Sequence, residues 1–277
     1  MKTQSGRLIA ALVERGTRKS VDRLKPDATM LVDFGRRRVE VSTRSLFYYG
    51  RYAKPPGVPQ RRESCRRCSG SGCPRCRNTG FERAPSVESG LRKKLGEYTG
   101  SRRMSLTWMG SEDEQSRVYT PGRPFIAEVK SPFRRKVPRT FALKFARGLV
   151  KVSSGKILVA KPVRLPRFRF DTRITGTTSE KVEKTTVDLL GKAFRRTPVR
   201  FERPHDAPVT KMVYRARGTA RGKTLVVEAE LDGGLPVRRF VTGESVSPSV
   251  SEVIGTRVTV RSFDITRVRQ VGRLGYT

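Results

Sequence analysis

Residues 104–114 (MSLTWMGSEDE) and residues 125–130 (FIAEVK) are the two runs that most restrict the fold. Apolar and polar residues alternate at the start of the first run, and the second run is rich in β-branched and aromatic residues, as is typical of strands. Between the two runs, the acidic turn at residues 110–114 holds Asp113. A strand, a turn and a strand therefore place Asp113 at the edge of a predicted sheet.

All four cysteines lie upstream of this region, in residues 65–76 (CRRCSGSGCPRC). They form two CxxC pairs with a short Gly-containing spacer, which lets four thiolates complete a tetrahedron around one metal ion. A closed site of this kind is structural, because no coordination position is left for a substrate. We therefore expect Cys65, Cys68, Cys73 and Cys76 to hold a zinc ion, with disulfide bonds as the competing interpretation.

Predicted helices and strands are mixed along the rest of the chain. Helices are predicted at residues 7–15, from Ser86 to Gly96 and at residues 182–194. Strands are predicted at residues 29–34, 38–41, 148–152, 225–231, 237–241 and 258–268, with Gly233 and Gly234 as a hairpin turn before residues 237–241. The chain is therefore expected to be an α+β protein.

The balance of charge indicates a polyanionic partner. The sequence has 60 Lys and Arg against 25 Asp and Glu, a net charge of +35, and the basic residues are spread over the whole length. No window approaches the run of about 18 apolar residues that a membrane-spanning helix needs, so a nucleic acid is favoured over a membrane. On composition alone, a structural protein that only binds RNA is the first-ranked class.

The apolar stretch at residues 7–15 predicts a helix rather than a signal peptide. Glu14 and Arg15 interrupt it, and no small-residue cleavage site follows. We accordingly expect a cytoplasmic, monomeric protein without a small-molecule substrate.

Some aromatic residues and the single histidine have more than one interpretation. Tyr48, Tyr49 and Tyr52 are as well suited to stack on bases as to lie in a core strand. Trp108 is expected in the core. His205 lies in the turn-like stretch PHDAP, where neither base catalysis nor metal binding is expected.

A series of motifs follows in order along the middle of the chain. They are YGRYAK (49–54), GVPQ (57–60), the cysteine block (65–80), SVE (86–88), GSEDEQSR (110–117) and GRPF (122–125). Two later motifs, RTPVR (196–200) and PSVSEVIG (248–255), continue the series. The series resembles the archaeal and eukaryotic family of tRNA pseudouridine synthases that modify positions 54 and 55 of the T arm.

The resemblance implies a mixed sheet like the catalytic core of pseudouridine synthases, with the zinc knuckle inserted. We divide the chain into an N-terminal α/β segment (1–60), the knuckle (61–84) and a pseudouridine-synthase-like catalytic domain (85–277). The RNA-binding THUMP domain that usually precedes the catalytic half is expected to be absent or reduced. The implied partner is tRNA, and no organic cofactor is expected beside the structural zinc.

The resemblance also implies roles for individual residues. The aspartate of the family's GRED motif matches Asp113, which would be the nucleophile. Residues 234–238 (GLPVR) resemble the element that supplies a cation to this aspartate, so Arg238 would pair with Asp113. Val237 would contact the uracil. A partly desolvated carboxylate stays ionised when such a cation lies beside it.

Three further residues are expected to bind the substrate. Phe168 or Phe170 would stack on the extruded base in place of the family's tyrosine, and the sequence does not choose between them. Arg123, in the GRPF motif, is the third. Flipping a base out of a structured loop costs about a few kcal/mol, which stacking and the basic surface would offset.

Departures from the family pattern leave an alternative open. Ser111 stands in place of the arginine that helps hold the RNA backbone, residues 114–116 replace VDV, and Pro236 replaces a tyrosine. The alternative is a relative that binds RNA without isomerising it. In such a relative, Asp113 and Arg238 would be kept as a structural ion pair.

Overall fold

The computed structural model describes residues 2–82, 85–203, 206–272 and 274–275. Its α-helices are α1 (Lys2–Thr17), α2 (Val87–Thr99), α3 (Lys184–Ala193), α4 (Val237–Thr242) and α5 (Val250–Ile254). Its strands are β1 (Ala28–Asp33), β2 (Arg38–Thr43), β3 (Leu46–Lys54), β4 (Met104–Trp108), β5 (Val118–Val129), β6 (Phe141–Phe145), β7 (Gly148–Leu158), β8 (Arg167–Thr178), β9 (Thr197–Arg203), β10 (Asp206–Arg221), β11 (Thr224–Asp232), β12 (Val246–Ser247) and β13 (Val258–Val271). A short 3₁₀ helix, Pro74–Cys76, lies among the cysteines.

One large mixed sheet organises the described residues. Its strand order is β12-β9-β10-β11-β8-β13-β5-β3-β7-β6, and β4 also pairs with β5. Strands β13 and β5 run parallel and pair at Ile265 and Val118. This parallel pair joins the two halves of the sheet, within each of which neighbouring strands are antiparallel. Strands β1 and β2 form a separate two-stranded sheet. The predicted α+β fold with a mixed sheet is confirmed.

Helices α3, α4 and α5 cover one face of the large sheet. Along β8, Phe168, Phe170, Thr172 and Ile174 are buried, while the alternate side chains of Arg169, Asp171 and Arg173 are half-buried or exposed. The buried side chains of β8 share a core with α3, α4 and α5, and Leu91 and Leu95 of α2 share a second core with β3, β5 and β7. Burial of each such side chain contributes about 1.5–3 kcal/mol. The alternation leaves the opposite face of β8 and its neighbours to charged residues.

The prediction of a strand at residues 237–241 is wrong, because these residues begin helix α4. Val237, Phe240 and Val241 are buried and recur at helical spacing, so the helix period outweighs the β-branched composition. The preceding glycines, including Gly234, therefore connect a strand to a helix and are not a hairpin turn.

Helix α2 begins as expected but ends later than the sequence suggests. The Ser86 side chain caps it by accepting a hydrogen bond from the Ser89 amide. The predicted end at Gly96 is wrong: the helix runs through Thr99, and Gly100, with φ of 74°, forms the left-handed C-terminal cap.

The segment that the sequence assigns to residues 1–60 contributes to two parts of the fold. Helix α1 and the β1–β2 sheet contribute no residue to the hydrophobic cores of the described chain, whereas β3 lies in the large sheet between β5 and β7. Tyr48, Tyr49 and Tyr52 are buried in β3, so the core interpretation is confirmed. His205 lies outside the described residues. Among the helices that the structure describes, none has the length and apolar character required to cross a membrane.

Candidate active site and metal centre

Asp113 lies in the loop between β4 and β5, where three parts of the chain meet. The Nε of Arg238, in the first turn of α4, donates a hydrogen bond to Oδ2 of Asp113. The Nη1 of Arg238 donates to the carbonyl oxygen of Val260, on β13, at 2.9 Å. The structure thus brings together the two residues for which the sequence predicts catalytic roles.

The Asp113–Arg238 pair is open to solvent. The side chain of Asp113 is 35% exposed and that of Arg238 is 44% exposed. A carboxylate in this position can be reached by a large ligand without any rearrangement of the core.

Lys54, at the end of β3, holds the Asp113 loop from below. Its Nζ donates hydrogen bonds to the carbonyl oxygens of Asp113 at 3.1 Å, Glu114 at 3.0 Å and Ser116 at 2.7 Å. Lys54 is 2% exposed, and burial lowers its pKa to about 8 although the neighbouring carboxylates of Glu112, Glu114 and Asp113 act in the opposite direction. One buried ammonium therefore fixes three carbonyl groups within four residues of the loop.

Glu112, next to Asp113, points into the protein and is fully enclosed. Its Oε1 accepts a hydrogen bond from the Tyr52 hydroxyl at 2.6 Å, and its Oε2 forms an ion pair with Nε of Arg123 at 2.9 Å. Burial raises the pKa of Glu112, while the Arg123 guanidinium opposes that shift. Burial likewise raises the pKa of Tyr52 well above its ordinary value, with the Glu112 charge adding to the effect.

Gln60 and Arg123 fix the start of the same loop. The Nε2 of Gln60 donates to the Tyr52 hydroxyl oxygen at 2.7 Å and to the Gly110 carbonyl at 3.1 Å. The Nη1 of Arg123 donates to the Met109 carbonyl at 3.1 Å. Gly110 has φ of 101°, and a Cβ at this position would collide with the Arg123 guanidinium. The loop therefore depends on a glycine here.

The predicted substrate-binding residues lie at different depths. Arg123 is 4% exposed and sits 5.6 Å from the centre of the Phe170 ring, so both are inside the protein. Phe168 is buried too, but it lines an open pocket of about 440 Å³ next to Gly110. The other lining residues are Trp108, Met109, Leu165, Pro166, Arg167, Thr210, Lys211, Asp232, Gly233 and Gly234. Val237 belongs to the core beside α4 and is 5% exposed.

Sequence reasoning did not assign roles to Tyr52, Lys54, Gln60 and Glu112. All four belong to motifs that were used only for their order along the chain. Their side chains converge beneath the loop that carries Asp113. A signal was present in the sequence: a lysine at the end of a predicted core strand and a glutamate beside the candidate nucleophile both need buried partners.

The four cysteines form a cluster that fits a metal ion. All four sulfur atoms lie within 4.8 Å of one another. The Sγ–Sγ distances are 3.9 Å for Cys65 and Cys73, 3.9 Å for Cys68 and Cys76, and 3.7 Å for Cys73 and Cys76. A tetrahedron with metal–sulfur bonds of about 2.3 Å has edges of about 3.8 Å. The donor set and its dimensions thus match a closed four-thiolate site.

The backbone around the cysteines is shaped for this cluster and attached to the core. The amides of Gly72 and Cys73 donate to the sulfur atoms of Cys68 and Cys76, each at 3.2 Å. Arg62 packs over the Phe81 ring at 3.7 Å and pairs with Glu88 of α2 at 3.2 Å. Helix α2 therefore connects the cysteine knuckle to the large sheet, in which Lys54 ends β3.

Comparison with known proteins agrees with the family that the order of motifs resembles. The family model described as "Pus10, C-terminal" matches residues 47–269. The chain is 28% identical over 265 residues to the tRNA pseudouridine synthase Pus10 of Nitrosopumilus maritimus, covering 95% of this chain and 69% of that protein. It is 29% identical to the protein of the same name from Cenarchaeum symbiosum, covering 91% of this chain and 62% of that protein. It is 30% identical to the protein of the same name from Archaeoglobus fulgidus, covering 88% of this chain and 73% of that protein.

The chain thus spans roughly two thirds of the length of these relatives, from 62% to 73%. Among solved structures, a crystal structure of a Cbf5–Nop10–Gar1 complex has a TM-score of 0.42 at 8% identity, over 79% of this chain and 48% of that one. The family model covers well over half of the chain, and the relatives match it along nearly its whole length. The chain therefore belongs to the Pus10 family, whose curated members carry the name tRNA pseudouridine synthase.

Proposed function

We propose that this chain isomerises uridine to pseudouridine in the T arm of tRNA, at position 54, position 55 or both, with Asp113 as the nucleophile. The observation that carries the proposal is the solvent-open pair of Asp113 and Arg238 on a loop that is otherwise held rigidly from below. The names of the relatives support tRNA as the substrate class.

The proposed reaction needs no oxidant, reductant or nucleotide. The bond from N1 of uracil to C1′ of the ribose breaks, the base turns, and a bond from C5 to C1′ forms. C5 loses a proton and N1 gains one, so the product is an isomer of the substrate. The Asp113 carboxylate attacks C1′ as the bond to N1 breaks and is displaced when C5 bonds to C1′, and Arg238 orients it through a hydrogen bond.

The other predicted residues take more specific parts in this proposal. Phe168 is better placed than Phe170 to stack on the flipped base, because it lines the open pocket while Phe170 lies under Arg123. Val237 offers an apolar contact for the uracil from the start of α4. Arg123 acts as a positioning residue through Glu112 rather than by touching RNA.

We also propose that the cysteine cluster holds zinc. Four thiolates in a closed tetrahedron are a typical structural zinc site, and the spacing of the sulfur atoms suits Zn–S bonds. The ion would order a loop that has few apolar residues and would leave the chemistry to Asp113. The exposed arginines of the knuckle, Arg66, Arg67, Arg75 and Arg77, would add RNA contacts.

One observation favours a competing function, a relative that binds RNA without isomerising it. Ser111 occupies an exposed position beside the candidate nucleophile, where the family has an arginine. In that case the Asp113–Arg238 pair would only join the loop to α4. The two candidate functions are distinguished by measuring pseudouridine formation and RNA binding on the same protein.

The test is incubation of the purified chain with an unmodified T-arm transcript, followed by chemical mapping of pseudouridine. Wild type is compared with Asp113→Ala and with Asp188→Ala, an exposed carboxylate on α3 that serves as the matched control. We expect product from wild type and the control, and none from Asp113→Ala. Retained RNA binding without product in all three proteins would favour the competing function.

A further inference from the structure

The face of the large sheet that the helices leave uncovered carries an excess of arginine. Facing residues on antiparallel strands point to the same side, so the strand register identifies the members of this face. The arginines of this face include Arg169, Arg173, Arg215, Arg217, Arg267 and Arg269, and its acidic residues include Asp171, Glu228, Glu230, Asp232 and Asp264.

Three acidic residues of this face, Asp171, Glu228 and Glu230, form ion pairs with arginines. Nη2 of Arg269 forms ion pairs with Oδ1 of Asp171 at 2.9 Å and with Oε1 of Glu230 at 2.8 Å. Nε of Arg215 lies 3.3 Å from Oε2 of Glu230. The Glu230 side chain is 12% exposed, whereas that of Arg215 is 70% exposed. The carboxylates thus lie at the floor and hold guanidinium groups above them, where a ligand meets positive charge first.

The side chain of Arg173, like that of Arg267, has no hydrogen-bond or ion-pair partner among the residues that the structure describes. It lines a concavity of about 410 Å³ together with Arg215, Arg217 and Thr266. Arg217 is paired with Glu228 at 2.6 Å, so its position is fixed. The concavity therefore combines one free guanidinium with two that are held in place.

Strand β13 connects this concavity to the Asp113 loop. Asp264 lies opposite Arg173 in the register of β13 and β8, and its Oδ1 accepts from the backbone amide of Arg117 at 2.9 Å. Arg117 is at the end of the loop that carries Asp113. The concavity and the candidate catalytic pair thus border the same strand, with the concavity on the uncovered face of the sheet and Arg238 on α4, which packs on the covered face.

We infer that this concavity, the arginine pocket formed by Arg173, Arg215, Arg217 and Thr266, binds a phosphate of the RNA backbone. The inference rests on the proposed function, because it takes RNA as the ligand. A guanidinium without an intramolecular partner on a concave basic surface is suited to a charge-assisted hydrogen bond with a phosphodiester. Contacts of this kind position RNA without reading its sequence.

The test compares Arg173→Gln with Arg195→Gln. Arg195 is also exposed and without a partner in the described part of the chain, but it follows α3 on the helical side of the sheet. Affinity for the T-arm transcript is measured over a series of salt concentrations, and kcat at saturating RNA is measured alongside. Circular dichroism verifies that both variants are folded.

We expect Arg173→Gln to weaken RNA binding about tenfold and to reduce the slope of log K against log salt by about one. Its kcat should stay at the wild-type value, and Arg195→Gln should change neither quantity appreciably. Arg173→Lys should restore the salt slope. These outcomes together would support a phosphate contact at Arg173.

Unchanged affinity and slope in Arg173→Gln, or an equal loss in Arg195→Gln, would overturn the inference. Loss of binding to poly-aspartate with RNA binding intact would also overturn it and indicate an acidic protein instead. If wild type makes no product but Arg173→Gln still loses RNA affinity, the proposed function fails and the phosphate site stands.

Discussion

The Lys54 ammonium and the Asp113 backbone are in direct contact: Nζ donates to the Asp113 carbonyl at 3.1 Å, while the carboxylate of the same aspartate accepts from Arg238. A buried cation and a half-exposed cation thus hold Asp113 from two sides. The geometry of the carboxylate depends on a residue that is itself out of reach of any substrate. This arrangement makes the stability of the loop sensitive to the protonation of Lys54.

The free energy of unfolding should depend on pH through Lys54. The pKa of Lys54 is lowered to about 8 in the fold from an ordinary value of 10.5, so between these pH values the unfolded chain holds the proton more tightly than the folded chain does. The free energy of unfolding should therefore rise with pH through this window, by at most about 3 kcal/mol. The measurement is urea denaturation at pH 7.5 to 10.5 for wild type and Lys54→Met, with about equal steps between the two limits.

The difference between these two proteins isolates Lys54 from other groups that titrate in the same range. We expect wild type to gain stability relative to Lys54→Met as the pH rises. A difference that stays constant with pH would mean that Lys54 keeps its ordinary pKa in the fold.

The second prediction concerns the enclosed ion pair of Glu112 and Arg123. Replacing Glu112 with Gln leaves the buried Arg123 guanidinium without its counter-charge. We expect the free energy of unfolding to fall by about 3–5 kcal/mol. Chemical denaturation provides the measurement. The control is Glu97→Gln, at a surface residue of α2 paired with Lys94, and its expected loss of stability is much smaller.

A double variant, Glu112→Leu with Arg123→Met, should recover part of this loss because it removes both charges. If Glu112→Gln and the surface control lose the same stability, the enclosed pair does not hold the loop.

The contrast between Asp113 and Lys54 shows how far the sequence determines the site. The order of motifs was enough to predict Asp113 and Arg238 as partners, and the structure places them together. The same motifs contain Lys54 and Gln60, but their roles depend on which loop lies across β3 in space. Sequence separation of about 60 residues between these partners makes such contacts inaccessible to local pattern reading.

Helix α4 likewise shows which parts of the fold the sequence predicts and which depend on tertiary contacts. Alternation and β-branched content correctly predicted strands such as β4 and β11, whose patterns are long or regular. The short run after Pro236 fits a strand by composition and a helix by spacing, and only packing of Val237 and Phe240 against the core selects the helix. Short segments of this kind are decided by tertiary contacts.

The third prediction concerns the cysteine cluster. Cys76→Ser should remove bound zinc, since three thiolates and a hydroxyl form a weaker closed site. The knuckle should then lose its order, and trypsin should cleave faster after the basic residues near it. Metal content by atomic emission and the rate of tryptic cleavage are the measurements.

Arg67→Ala is the matched control, because Arg67 is an exposed residue within the first CxxC pair and carries no ligand atom. It should keep one zinc ion per chain. Equal zinc content in Cys76→Ser and wild type would count against a metal bound by all four sulfur atoms.

The last prediction decides whether the Asp113–Arg238 pair is catalytic or only structural. Lysine at position 238 keeps the positive charge but lacks the planar fork that reaches both the Asp113 carboxylate and the Val260 carbonyl. We expect Arg238→Lys to lower kcat roughly tenfold, corresponding to one charge-assisted hydrogen bond, with RNA affinity unchanged. Single-turnover kinetics and thermal unfolding are measured together, with Arg221→Lys on β10 as the control. A structural pair would give a different result, in which Arg238→Lys lowers the unfolding temperature while the rate of the folded enzyme stays at the wild-type value.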